Sequence, residues 1–380
     1  MTTTIAKDSA MAIKKQSVAL FRETNKKGYF ARKFMGSPKM GEDSPYPVQV
    51  LKDLEKEKGE YMSFDLLMEK TQQPVEGDDV IKGKGTPLQF YTDGLYLNQM
   101  RGESDAGGAM TRKRTIHDLR DKARRNESTW WANVFDQMIF MYASGARGVN
   151  AGFQFPTTYT GFAGNTFAAP DSEHIFWAGK TSSTTIAATN KADLKDIDKL
   201  LAGAEMMNEI RGTAGTDGSY KTPMIRPVMV DGGEHYVMIF NPWQVHDLQV
   251  DAGTNGWMDI QKSAAAAEGS KNKIFTGTLG MYKDVVLHKH KNVIRFSTRG
   301  AGSDVETARA LFLGAQAVVV AWGSPGGNGN MRFKWHEEFD DRGNVLAITT
   351  AAIIGVEKVT FNGKDFGVYC YETAAADPRT

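Results

Sequence analysis

The sequence predicts an α+β protein. Three observations carry that expectation: an excess of glycine, one long stretch of helical periodicity, and short β-type runs on either side of it. Glycine supplies 39 of 380 residues, about 10% against a usual figure of about 7%. That excess implies many turns and loops rather than a helical bundle. The length corresponds to roughly two or three domains, enough to bury a core without disulfides or metal as staples. The apolar share of 41% and the charged share of 24% are ordinary for a globular chain.

Residues 1–58 read as an arm. Apolar residues are sparse, and Gly28, Gly36, Pro38, Gly41, Pro45 and Pro47 are expected to break any long element. Up to Gly36 there are eight basic residues (Lys7, Lys14, Lys15, Arg22, Lys26, Lys27, Arg32, Lys33) against two acids, Asp8 and Glu23. Such a segment is either a solvated tail or an extended arm lying on neighbouring subunits or near a polyanion. Residues 59–105 predict a long β-hairpin. Tyr61, Phe64 and Leu66 mark one stem, and Leu88, Phe90 and Tyr91 the other. The tip between them, 72–86, is rich in glycine and charge and buries little surface by itself.

The clearest periodicity lies between 110 and 144. Ile116, Leu119, Ala123, Trp130, Val134 and Met138 recur at three- and four-residue spacing or its multiples, predicting one face of a helix from about Thr111 to Ser144. Thr111 or Asp105 would cap its start, and Gly145 or Gly148 its end. Such a helix would be roughly 50 Å long. Arg112–Arg125 carries seven basic residues and two acids. This is either a solvated face laced with ion pairs or a surface toward nucleic acid or an acidic partner. Trp130 and Trp131 point about 100° apart on a helix, so one enters the core and the other meets a further element or subunit.

Residues 149–190 read as loop and 192–210 as a second helix. A loop at 212–223 follows, then a buried strand at 236–240 closed by the turn signal Asn241-Pro242. A short helix is expected at 257–268 and strands at 285–287 and 293–296. The apolar, small-residue run 308–323 fits strand or helix equally. Terminal strands are expected at 345–354, 358–361 and 367–371.

Composition narrows the function. A net charge of +1 argues against a dedicated nucleic-acid binder, though not against a basic patch. Cys370 is the only cysteine, so no intrachain disulfide forms and a reducing compartment fits. The first 15 residues lack the apolar core of a signal peptide. The longest apolar runs, 315–322 and 347–356, are too short to span a bilayer, so no membrane partner is expected.

A search for catalytic motifs finds none. Gly179-Lys180-Thr181 resembles the end of a phosphate-binding loop, but His174 stands where the first glycine is needed and bulky residues follow it. His288 and His290 share one face of a strand, yet no Cys pair or His-Glu-x-x-His supplies further zinc ligands, and Lys289 and Lys291 point to a polar edge. The acid-rich run 336–341 lacks calcium-loop spacing and reads as a charged turn. The glycine cluster 326–330 reads as a hairpin or mobile loop, and Cys370 as a buried, inert thiol. No catalytic residue, cofactor or metal is expected.

The order of elements resembles that of the major capsid proteins of tailed phages, which have the Hong Kong-97-type fold. The similarity is greatest to the family typified by the coliphage N-four major capsid protein. The segments that carry it are DLEKEKGEYMSFDLLMEK (53–70), GKGTPLQFYTDGLYLNQMRG (83–102), HDLRDKARRNESTWWANVFDQMIF (117–140), NPWQVHDLQVD (241–251) and FTGTLGMYKDVVLHKH (275–290). Their order is more specific than any one of them. A long N-terminal helical segment of the kind that serves as a built-in scaffold in some relatives is not expected from this sequence.

The resemblance implies an N-terminal arm (1–58), an extended hairpin loop (59–106), a spine helix with a peripheral segment (107–190), an axial-type α/β domain (191–315) and returning strands (316–380). It implies a structural subunit, not an enzyme, that assembles as hexamers and pentamers into the icosahedral head of a bacteriophage, in the host cytoplasm. Its partners would be copies of itself, the portal, scaffold and decoration proteins, and packaged double-stranded DNA held without sequence preference. Lys14, Lys15, Lys26, Lys27, Arg32 and Lys33 are candidates for facing the DNA. Lys70, Asp78, Asp79, Lys82, Lys84 and Trp131 are candidates for contacts between subunits. The competing readings are another phage structural protein, of tail or decoration type, and an enzyme with an unrecognised site in the glycine-rich loops.

Overall fold

The computed structural model describes residues 10–36, 45–52, 59–67, 74–85, 90–162, 164–207, 224–230, 233–250, 279–325, 332–361 and 363–379. The expected loop at 212–223, the expected helix at 257–268 and the glycine cluster 326–330 lie outside these residues, as does Lys70.

The chain opens with α1 (Ala10–Lys27) and α2 (Tyr29–Lys33), then β1 (Met35–Gly36) and β2 (Val48–Leu51). The expectation that this segment forms no long element is therefore corrected. Gly28 does break the helix, but only after 18 residues. Leu20, Phe30 and Phe34 are fully buried, so these few apolar side chains suffice to dock the segment.

The hairpin follows as β3 (Tyr61–Leu67) and β4 (Phe90–Tyr96), antiparallel with Tyr61 opposite Tyr96. Alternation puts Met62, Leu66 and Leu95 on one face, where they are buried. The hairpin ends sooner than expected, because β5 (Asn98–Gly108) leaves it to pair with a strand from the far end of the chain.

The expected 34-residue helix is two helices, α3 (Ala109–Arg114) and α4 (Leu119–Ser144). Thr115 adopts extended backbone, its hydroxyl accepts from the His117 amide at 3.2 Å, and Asp118 caps α4 by accepting from the amides of Arg120 and Asp121. Ile116, expected on the apolar face, falls in the break and is 97% exposed. Gly145 ends α4 in the left-handed region at φ 68°, where a Cβ would lie 2.1 Å from the Ala168 carbonyl oxygen. At 26 residues α4 is roughly 39 Å long.

The short strands β6 (Gly161–Phe162), β7 (Asn165–Thr166) and β8 (Ile175–Trp177) interrupt the loop-rich stretch, and α5 (Leu194–Glu205) follows. Next come β9 (Val228–Val230), β10 (Gly233–Phe240) and α6 (Pro242–Val250). Asn241-Pro242 thus starts a helix rather than a plain turn. The Asn241 side chain accepts from the Trp243 amide at 3.1 Å, and proline is tolerated at the first helical position. The remaining strands are β11 (Gly280–Tyr282), β12 (Val285–Lys289), β13 (Arg295–Arg299), β14 (Val305–Leu313), β15 (Val318–Gly323), β16 (Phe333–Asp340), β17 (Val345–Lys358), β18 (Thr360–Phe361), β19 (Lys364–Asp365) and β20 (Val368–Ala374). The acid-rich run 336–341, expected as a turn, lies mostly within β16.

Two large sheets organise these elements. One runs β1-β2-β15-β17-β16 with β5 also on β17. The registers place β15 and β16 end to end along one edge of β17 and β5 along the other. The second runs β11-β12-β10-β14-β20-β8, with β13 on β14 and β9 on β10. The C-terminal half of α4 lies in the core that both sheets share. Trp131, Val134, Met138, Ile139 and Phe140 pack there with Val318, Val320 and Ile354 of the first sheet and Val237, Ile239 and Leu311 of the second.

The opposite faces are covered too. Tyr236, Met238, Phe240, Ala310 and Phe312 join α5 and α6 in a second core. Val319 and Ala321 join the hairpin's Met62, Leu66 and Leu95 in a third. This explains the ambiguous run 308–323. Its two strands are buried on both faces, so the period-two pattern that betrays a strand is absent.

Candidate assembly surfaces

The first surface is the hairpin. Its inner face rests on the same subunit's β15 and on Val359, Phe361 and Phe366. Asp93 fastens it by accepting from the Thr360 amide and hydroxyl, both at 2.9 Å. The apolar face is therefore buried within the same subunit. The tip is different. Asp78, Asp79, Lys82 and Lys84 are exposed, Val80 and Ile81 are each 69% exposed, and Lys84 lies 3.9 Å from Asp79. Tyr61, Phe90 and Tyr96 are exposed along the outer face of the stems. Exposed apolar side chains of this kind at the tip and along the stems suit a surface that is covered on assembly.

The second surface joins the two basic segments. Helix α1 packs on α4. The Lys27 ammonium donates to the Arg125 carbonyl at 3.0 Å, to Ser128 Oγ at 2.6 Å and to Thr129 Oγ1 at 2.9 Å. Arg124 pairs with Glu23 at 3.3 Å and donates to Gln16 at 3.0 Å. Lys26, Arg32, Lys122 and Arg125 remain exposed. Of the candidate DNA-facing residues, Lys14 and Lys15 belong to α1 with side chains outside the described residues. Lys33 is buried, its ammonium 5.0 Å from the centre of the Tyr29 ring, and burial lowers its pKa. It presents no free charge to the surface, so its assignment is corrected. Arg120 is engaged by Glu337 at 2.5 Å, so part of the basic stretch is an ion-paired face.

Trp131 is also corrected. It is fully buried within one subunit, and its indole N–H donates to Thr350 Oγ1 at 2.8 Å. It cannot touch a neighbour while the fold is intact. Trp130 is the half-buried member of the pair, its ring 4.8 Å from that of Trp131.

Buried polar clusters hold these surfaces on the body. Asp136 on α4 accepts from the amides of Tyr29 at 2.8 Å and Phe30 at 3.1 Å, and so caps α2. Burial pushes its carboxyl up to about 6, against the pull of those amides and Arg32. Glu372 on β20 is fully buried. It accepts from Arg299 Nε at 2.6 Å, Arg309 Nε at 2.9 Å and Thr307 Oγ1 at 2.9 Å. Arg309 also donates to the Ser144 carbonyl at 2.6 Å, tying the end of α4 to the second sheet. Sequence patterning gave no sign of either cluster, because their members are far apart in the chain.

The expected polar histidine edge is instead aromatic packing. His290 lies 4.5 Å from the Tyr29 ring and 4.9 Å from the Phe140 ring, and His288 lies 5.1 Å from Phe34. Burial, with Lys291 and Lys33 nearby, lowers His290 to about 4. Among the described residues no three ligating side chains converge on a metal position. Cys370 is buried, and burial pushes its thiol up to about 12.

Two packed sheets threaded by a long helix, with a hairpin offered outward, are the arrangement of the Hong Kong-97-type capsid fold. The chain belongs to the family described as phage capsid protein, whose match extends over residues 4–377. Among solved structures it is similar to the capsid of Ralstonia phage GP4, with 39% identity and a TM-score of 0.83, covering 99% of this chain and 96% of that one. The cyanophage Pam1 capsid shares the fold at 20% identity and a TM-score of 0.66, over 99% and 97% of the two chains. The capsid of Helicobacter pylori bacteriophage KHP30 shares it at 14% identity and a TM-score of 0.58, over 90% and 89%. A comparison with curated proteins gave no match.

Proposed function

We propose that this chain self-assembles as hexamers and pentamers into the icosahedral head of a tailed phage and encloses double-stranded DNA. The observation that carries the reading is the likeness to a phage capsid at 39% identity along nearly the whole chain. The first sheet with α4 acts as the peripheral part of the subunit, and the second sheet with α5 and α6 as the axial part. The exposed hairpin tip, with Lys82, Lys84, Asp78 and Asp79, lies over an adjacent subunit. Lys14, Lys15, Lys26 and Arg32 belong to the surface that meets DNA, through counterion release and without sequence preference. Assembly takes place in the host cytoplasm, with portal, scaffold and decoration proteins as further partners. Closed shells require one subunit to occupy related but unequal positions through heterologous contacts. The test is size-exclusion chromatography and negative-stain microscopy of the purified chain. Hexamers, capsomer sheets or shells are expected; a compact monomer under all assembly conditions would overturn the proposal.

A further inference from the structure

We propose that Lys358 and Asp365 of one subunit condense to an intrachain isopeptide bond. Lys358 ends β17 and Asp365 ends β19, on the link that carries the chain from the first sheet to the second. Lys358 Nζ lies 2.6 Å from Asp365 Oδ1, and the side chains are 1% and 4% exposed. Asp365 Oδ2 is buried with no partner. The pair is thus held in close contact with one carboxylate oxygen unsatisfied, which makes a buried ion pair less favourable. Val359, Phe361 and Phe366 wall this region with buried apolar side chains. Burial, opposed mainly by Lys358, raises the Asp365 carboxyl above its usual range and so favours the acid form the reaction needs.

A second acid and a buried imidazole adjoin the pair. Asp171 Oδ2 accepts from the Asp365 amide at 2.8 Å and binds His174 Nδ1 at 2.8 Å. His174 is fully buried and its Nε2 has no partner. Burial works against the Asp171 charge, but the contacts from His174 and the Asp365 amide hold its carboxyl down at about 2.

The step balances without any other reagent. One proton passes from the Lys358 ammonium to the Asp365 carboxylate, giving a neutral amine and a carboxylic acid. The amine lone pair adds to Cγ and forms the Nζ–Cγ bond. A second proton leaves Nζ and joins the departing hydroxyl. The Cγ–O bond breaks, one water is released, and nothing is oxidised or reduced. Two buried charges become one neutral amide. Fixed proximity of this kind replaces a bimolecular encounter.

Peptide mapping of the purified full-length chain, before and after assembly, decides the matter. Trypsin should fail to cut after Lys358 and should yield 343–364 joined to 365–379, lighter by one water. Free 359–364 as the sole product in both states would overturn the proposal. Lys358→Met should remove the joined peptide. The wild-type map stands by itself if that variant fails to fold.

Discussion

At the scale of single residues, Glu372 illustrates how buried charge positions an element. Its two oxygens hold Arg299, Arg309 and Thr307, and Arg309 in turn holds the last carbonyl of α4. Glu372→Gln leaves two guanidinium groups without their anion, and removal of one partner from a buried pair costs about 3–5 kcal/mol. Urea denaturation should show a loss of that size; a loss below about 1 kcal/mol, as for a surface pair, would show the cluster to be dispensable. Asp136 gives the pH dependence. Its folded value of about 6 lies above the usual 3.8, so ionisation is costlier in the fold than in the unfolded chain. The contribution from this group is therefore most favourable below about pH 4 and is lost as pH rises toward 6. The loss amounts to roughly 3 kcal/mol. Asp136→Asn should flatten the stability profile between pH 4 and 6. Equal slopes for variant and wild type would show that Asp136 does not titrate there.

At the scale of elements, the hairpin divides into an anchored stem and an offered tip. Met62, Leu66 and Leu95 are fixed to the subunit's own core, whereas Val80 and Ile81 are exposed. Deleting 73–84 should leave a soluble, folded subunit with unchanged circular dichroism that fails to form stable shells. Normal shells from the deletion would show that the tip is not needed for assembly. The hairpin was legible because its stems carry strand-type residues and its tip is rich in glycine and charge. The end of α4 was legible in Gly145, but its start was not. The apolar spacing ran on through Ile116, and nothing in periodicity reveals that Asp118 caps a new helix. Strands β14 and β15 were hidden for the opposite reason: burial on both faces erased alternation. The arm was misread because three aromatic or aliphatic anchors, Leu20, Phe30 and Phe34, outweigh many polar neighbours.

At the scale of the whole molecule, charge is segregated. The arm up to Gly36 sums to +6 and the stretch Arg112–Arg125 to +5, while the full chain is +1, leaving about −10 elsewhere. The fold brings these two basic segments together, since α1 lies on α4. Sequence alone exposed the charge bias but not which cations are spent inside the subunit. Lys27 is, through Ser128 and Thr129, and Lys33 is buried. Replacing Lys14, Lys15 and Lys26 by Gln should therefore leave empty shells intact and reduce packaged DNA length, measured by pulsed-field electrophoresis of particle DNA. Lys27→Gln should instead lower subunit stability. Failure of the triple variant to form shells, with normal DNA in surviving particles, would assign those lysines to contacts between subunits.

The path of β17 has a further consequence during synthesis. This strand pairs with β5, β15 and β16, so its sheet joins residues near 100 to residues near 350. Strand β20 completes the second sheet only at residues 368–374. Pairings of such sequence separation form slowly, and the ribosome delivers only about 5–20 residues per second. A nascent chain therefore holds β5 without its neighbour until the C-terminal tenth of the polypeptide emerges. The first sheet is thus completed only at the end of translation, while the pairings among β9–β14 are available earlier.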